Sequence, residues 1–200
     1  MNRRVTPGPQ ATLGARNDEH AAVLMELFDR PYFNVAACSD VEGVELCGTL
    51  KNVIALGAGF VDGLGLGANT KAAIMCEGLS EMRTLAKALV PSVEDNTFFG
   101  SCGVGDLIAT CVGGRNRKIA EAFVRAGGAK SFSELEAELL GGQKLQGLLT
   151  SQEVSEVMRL RGWEHRFPLF TTINRIATEQ YPPKSIVNFS DVGIGPSLVV

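Results

Sequence analysis

The chain has 200 residues, 45% hydrophobic and 20% charged, with 22 acidic against 19 basic side chains and a net charge of −3. That balance suits one full globular domain, or one plus part of another, and lacks the basic footprint of a nucleic-acid binder. No apolar run reaches the roughly 18 residues of a membrane span.

Residues 1–10 hold two prolines and two arginines without periodicity and read as a disordered lead-in, with no apolar core behind Arg3 and Arg4 to make a secretory signal. Ala21 to Arg30 has helical spacing, and "PYFNVAAC" reads as a brief strand whose sheet partner is unaccounted for. From Val41 the pattern turns helical. "VEGVELCGTLKNVIALGAGFVDGL" and "NTKAAIMCEGLSEMRTLAKALV" carry apolar residues at three- and four-residue intervals, with Asn69 or Thr70 as N-cap of the second. "VGDLIATCVGG" and "NRKIAEAFVRAGG" end in glycines. In "SFSELEAELLGGQ" a capping box forms from Ser131 with Glu134 or Ser133 with Glu136. "TSQEVSEVMRLRG" starts at Thr150 or Ser151, "FPLFTTINRIATEQ" is the last helix, and the apolar tail "IVNFSDVGIGPSLVV" has no clear period.

Cysteines 38, 47, 76, 102 and 111 are odd in number and never spaced C-x-x-C, which speaks against a disulfide framework and a zinc site. They read as buried thiols in a reducing compartment, and the chain as a soluble cytoplasmic protein. No cluster of metal-ligating residues stands out, and His20 and His165 read as surface or structural residues.

Glycines crowd the stretch from Gly48 to Lys71. A dinucleotide fingerprint needs G-x-G-x-x-G. Gly57-Ala58-Gly59 is followed by Phe60, Val61 and Asp62, so the third glycine is missing. Lys71 lacks the preceding glycine and following hydroxyl of a P-loop. Close helix packing at Gly48, Ala55, Gly57, Ala58 and Gly59 outweighs ligand contact on composition alone.

Taken alone, Lys51 is a lysine snorkelling from an apolar helix, Asp106 a solvated residue or cap with Thr110 one turn on, and "GGQKLQG" a polar loop. "GGRNR" has more specific chemistry. Arginine's planar fork suits phosphate oxygens, asparagine adds a neutral donor, and a helix starting near Asn116 would add free N–H groups. Arg117 and Lys118 read as a solvated face.

Three stretches, "GVELCGTLKNVIALGAGFVDGLGLGANTKAAI", "SCGVGDLIATCVGGRNRKIAEAF" and "ELLGGQKLQG", are long and collinear. They resemble the C-terminal half of NAD-dependent glycerol-3-phosphate dehydrogenase, the eukaryotic cytosolic type above all, from about Ala11 to Phe167. The fold implied is mainly α. It comprises a helical substrate-binding domain of the 6-phosphogluconate dehydrogenase C-terminal-like type over 41–190, after a small α/β remnant of the NAD-binding Rossmann domain over 11–40. Residues 191–200 form an atypical tail, and most of the Rossmann domain is expected to be absent from this chain.

The activity implied is interconversion of sn-glycerol 3-phosphate and dihydroxyacetone phosphate with NAD as cofactor. By the resemblance Lys51 is the general base and acid, Asn52 positions substrate or lysine, and Asp106 with Thr110 completes the catalytic set. An apolar setting favours a lysine's neutral amine, the form a base needs. Arg115 and Asn116 match substrate-phosphate residues, while Arg115, Lys144 and Gln146 match cofactor-binding ones. The partners implied are a phosphorylated triol or ketone and, in the full-length family, a second copy forming a homodimer, with no nucleic acid, membrane or metal. Two other readings stand beside it. The chain can be an inactive fragment serving as a substrate-binding or oligomerisation module, or a dehydrogenase of hydroxy acids or sugar nucleotides. "GGRNRK" and "GGQKLQG" argue against the last.

Overall fold

The computed structural model describes residues 8–190 apart from Gly142 and Glu179. The expected tail over 191–200 and most of the lead-in lie outside these residues. A small α/β unit comes first: β1 (Gln10–Gly14), α1 (Asp18–Phe28) and β2 (Asn34–Cys38). The strands pair in parallel from Gln10 opposite Asn34 to Gly14 opposite Cys38, with α1 as the crossover. So β1 is the partner that the lone predicted strand required, and the lead-in gives way to structure at Gln10.

Among the described residues eight α-helices follow: α2 (Val41–Gly63), α3 (Gly67–Leu89), α4 (Asp95–Phe99), α5 (Asp106–Gly113), α6 (Arg115–Arg125), α7 (Phe132–Leu140), α8 (Gln146–Leu160) and α9 (Pro168–Ala177). Helix α2 is the axis, touching α3, α5, α6, α8 and α9. Every residue from Val53 to Val61 is buried, so the three-and-four spacing read from its sequence is part of a helix covered on all sides. By length and composition α2 could also cross a membrane, but here it forms the core.

The glycines of this stretch do three different things. A Cβ at Gly57 would lie 2.8 Å from Ile173 Cδ1, and one at Gly59 2.3 Å from the Arg117 carbonyl, so both positions let neighbouring helices touch α2. Gly65 and Gly67, at φ 71° and 80°, form the left-handed turn into α3. Gly48, grouped with the packing positions from sequence, has open space around its missing Cβ. The structure puts it beside a cleft instead.

Helix ends explain several departures from the predicted elements. Helix α3 starts at Gly67 with Leu66 as N-cap, and Thr70 Oγ donates back to the Leu66 carbonyl rather than capping. Ser131 and Glu134 form the capping box of α7. Helix α8 begins at Gln146, a turn before Thr150 and Ser151, which are buried along it. The first turn of α9 is capped from another helix. Buried Glu81 on α3 accepts from the N–H groups of Leu169 (2.8 Å) and Phe170 (2.9 Å). Burial nevertheless wins over these two bonds and pushes the Glu81 carboxyl up to about 7. Asp40, the N-cap of α2, is the opposite case. Burial raises it, but Thr97 Oγ (2.6 Å) and the N–H groups of Glu94 and Gly43 outweigh that and hold it below its ordinary value.

Candidate active site

Lys51 lies on α2, about three turns in from Asp40, and its side chain is 16% exposed. Its ammonium donates to Asp106, which opens α5. What aims Asp106 is a π-helical turn, Ser101–Gly105, running directly into α5. Such wide turns are frequent at functional sites. Gly103 within it cannot be replaced without displacement, since a Cβ there would sit 2.1 Å from the Phe98 carbonyl. Thr110, one turn beyond Asp106, donates from Oγ to Asp106 Oδ1 at 3.4 Å. Three of the four expected catalytic residues, Lys51, Asp106 and Thr110, are thus in one hydrogen-bonded set.

Asn52, the fourth, has different partners. Its amide nitrogen donates to the Gly48 carbonyl at 3.0 Å, and its oxygen accepts from Asn116 Nδ2 at 2.9 Å. Asn116 is only 6% exposed, so this expected phosphate ligand is turned inward onto Asn52. Its own oxygen accepts from the Gly147 N–H at 3.0 Å. Arg115 is exposed and heads α6, where Gly114 is an N-cap without a side-chain cap and the first-turn N–H groups point outward. The Arg115 guanidinium donates to Gln143 at 2.6 Å. Lys144 is exposed on the same short connection between α7 and α8, and Gln146, also exposed, opens α8.

An open cleft of about 510 Å³ runs beside the pair, lined among others by Thr12 of β1, Gly48 of α2, Cys102 of the π turn, and Asp106. The half-exposed carboxylate therefore meets solvent while the lysine behind it is largely covered.

Arg117 corrects the expectation of a solvated face. Its side chain is 20% exposed and donates to Asp62 at 2.5 Å and Glu121 at 2.8 Å, while Lys71 reaches the same Asp62 oxygen at 2.7 Å. Burial raises the Asp62 carboxyl, but the two cations outweigh it and keep it below its ordinary value. The buried-thiol expectation holds for Cys47 and Cys111, whose thiols burial pushes up to about 12, whereas Cys38 and Cys102 are half-buried and Cys76 is exposed.

The sequence profile described as NAD-dependent glycerol-3-phosphate dehydrogenase C-terminus matches residues 40–188. The chain belongs to this family. The glycerol-3-phosphate dehydrogenase [NAD(+)] of Cuphea lanceolata is 60% identical over 91% of this chain and 49% of its own length. A chloroplastic relative of the same name from Arabidopsis thaliana is 57% identical over 91% of the chain and 46% of its own length. A cytoplasmic one from Drosophila ezoana is 49% identical over 90% and 51%. Among solved structures, that of the Dunaliella salina protein DsGPDH matches with a TM-score of 0.90 at 51% identity, covering 94% of this chain and 33% of that one. The glycerol-3-phosphate dehydrogenase of Saccharomyces cerevisiae matches with a TM-score of 0.85 at 40% identity, covering 92% and 54%. The chain spans about half the length of the curated relatives it matches.

For NAD, the fit within the described residues is partial. The glycines at 57 and 59 are filled by neighbouring helices and leave no phosphate cradle. What the chain offers is a polar edge of Arg115, Lys144 and Gln146, all exposed. Two residues here escaped the sequence reading. Gln143 and Gly147 flank the noted pair in "GGQKLQG", and only their partners, Arg115 and Asn116, reveal them.

Proposed function

We propose that the chain supplies the substrate half of an NAD-dependent glycerol-3-phosphate dehydrogenase, interconverting sn-glycerol 3-phosphate and dihydroxyacetone phosphate. The observation carrying this reading is the Lys51–Asp106 pair beside an open cleft, with Arg115 at an uncapped helix N-terminus nearby in the same family sequence.

Oxidising the secondary alcohol requires a base for its hydroxyl proton. Lys51 Nζ, as the free amine, takes that proton. In the reverse direction its ammonium gives the proton to the ketone oxygen. Asp106 stabilises the ammonium and holds Nζ in place, and Thr110 steadies the carboxylate by its bond to the second oxygen. Arg115 leaves Gln143 for the substrate phosphate, where its fork and the first-turn N–H groups of α6 act together. Asn116 spends one amide hydrogen on Asn52 and keeps the other for the phosphate. NAD, when bound, takes up or supplies the hydride. Arg115, Lys144 and Gln146 would meet its edge, with further contacts coming from outside the described residues. The reading places the protein in the cytoplasm as a homodimer, acting on a small phosphorylated triol or ketone and engaging neither nucleic acid nor membrane. Residues 41–190 are its substrate domain, and 11–40 the end of its NAD-binding one.

Calorimetry tests the site. Glycerol 3-phosphate is expected to bind the chain and to lose that binding in Arg115→Ala; unchanged binding removes the assignment. An assay of NADH consumption with dihydroxyacetone phosphate separates the enzyme from a module. The chain alone is expected to turn over little, and substrate binding without turnover even beside an intact NAD-binding half would favour a binding module.

A further inference from the structure

We propose that Gly147 is a positioning residue, whose backbone N–H sets the orientation of the Asn116 and Asn52 carboxamides beside Lys51 and ties them to the Lys144–Gln146 edge. This rests on the reading of the site given above and deepens it.

The orientation follows from which groups can donate. A backbone N–H can only donate, so the Asn116 atom 3.0 Å from Gly147 N is the oxygen. Asn116 therefore turns its nitrogen to Asn52, and the Asn52 atom at 2.9 Å is an oxygen. Asn52 in turn presents its nitrogen to the Gly48 carbonyl at 3.0 Å, with the Thr49 carbonyl at 3.4 Å. The relay begins at a backbone donor on α8 and ends at backbone acceptors on α2. Flipping either carboxamide sets N–H against N–H and oxygen against oxygen. Both ends are fixed, so the polarity in between is fixed too.

The glycine itself is explained by proximity. Gly147 is the second residue of α8 and has no left-handed φ, so its conformation does not call for glycine. A Cβ there would lie 2.6 Å from the Asn52 carbonyl oxygen and 2.8 Å from Asn116 Oδ1. The second atom belongs to the relay, and the first is backbone of the central helix at a relay residue. A side chain at 147 must push α8 away from α2 and lengthen the hydrogen bond from the 147 N–H to Asn116 Oδ1. Gln146, which opens α8, and Lys144 lie immediately upstream, and the connection that carries Lys144 is also held by Glu136 on the Leu145 N–H (3.1 Å) and by Gln143 on Arg115. A displacement of that edge thus reaches Asn52, next to Lys51.

The test reads the Asn52 and Asn116 side-chain carboxamide resonances of the folded chain by heteronuclear NMR, with calorimetric binding of glycerol 3-phosphate alongside. Gly147→Ala is expected to move both carboxamides and weaken binding about tenfold, as for loss of one buried hydrogen bond. Asn116→Asp keeps the acceptor for Gly147 but loses the donor to Asn52. It should move the Asn52 carboxamide and leave the Gly147 backbone amide in place. If Gly147→Ala fails to fold, Asn116→Asp decides alone. Asn52 resonances unmoved in the folded variants overturn the proposal, even if the wild-type chain binds glycerol 3-phosphate. Resonances that move in a chain that does not bind glycerol 3-phosphate support the relay and overturn the functional reading instead.

Discussion

Helix α2 carries the partners of two lysine–aspartate pairs, and they are built for different purposes. In the first, Lys51 of α2 meets Asp106 of α5. In the second, Asp62 of α2 meets Lys71 of α3. Each lysine side chain is 16% exposed, but Asp62 is 19% exposed and Asp106 41%. Asp62 is also claimed by Arg117, which continues to Glu121 and from there to Arg125, so its charge is saturated and three helices converge on it. Asp106 has one cation, a threonine and an open cleft. A saturated pair fastens helices. An unsaturated one at the edge of a cleft leaves its lysine with an exchangeable partner, which suits the proton transfer proposed for Lys51.

The comparison breaks most readily at Asp62. Asp62→Ala takes from largely covered Lys71 its carboxylate and leaves Arg117 with Glu121 alone, and is expected to cost about 3 kcal/mol in denaturant unfolding. A cost below about 1 kcal/mol would make the two pairs equivalent. Gly59→Ala tests the same fastening by volume, since its methyl would meet the Arg117 carbonyl. About 1–3 kcal/mol of destabilisation is expected, measured the same way.

Glu81 sets a pH test within this framework. Its folded value of about 7 lies above its ordinary 4.5, so the folded state binds the proton more tightly. The resulting stabilisation is full below 4.5 and is lost as pH rises through about 7. Asp62 and Asp40 have the opposite sign, being depressed: their contribution is present above the ordinary carboxylate range and lost on acidification. Unfolding curves from acid to neutral pH should lose the Glu81 slope in Glu81→Gln and keep it in Asp40→Asn. The smallest stability effect is expected at the site. Asp106→Asn should change unfolding by less than about 1 kcal/mol, as for a half-exposed pair. It should nonetheless abolish turnover in a protein that contains an intact NAD-binding half, read by NADH consumption.

The long elements were legible in the sequence because they carry redundant signals. Helices α2 and α3 have sustained periodicity, α7 has its capping box, and α6 is followed by Gly127 and Gly128 at positive φ. Elements whose cause lies elsewhere in the chain were not. The strand at Gln10–Gly14 is short and takes its meaning from Asn34–Cys38. The start of α8 has no capping side chain to announce it, and α4 is only five residues long. At the site, Lys51, Asn52, Asp106 and Thr110 were reached through resemblance and Arg115 and Asn116 through their chemistry as well, whereas Gln143 and Gly147 act through partners that only folding brings near. Arg117 was misjudged for a related reason: helical spacing in "GGRNRK" does not disclose that Asp62 waits on another helix.

The π turn at Ser101–Gly105 makes the site sensitive to chain length as well as to residue type. Each residue of an α-helix advances the side-chain bearing by about 100°. Deleting one residue here without a compensating change of winding would swing Asp106 around the α5 axis relative to the segment before it. The carboxylate would then be present, chemically intact and facing the wrong way. A deletion in the glycine turn after α6 would shorten a connection and leave that bearing alone, so the two places should tolerate changes in length very differently.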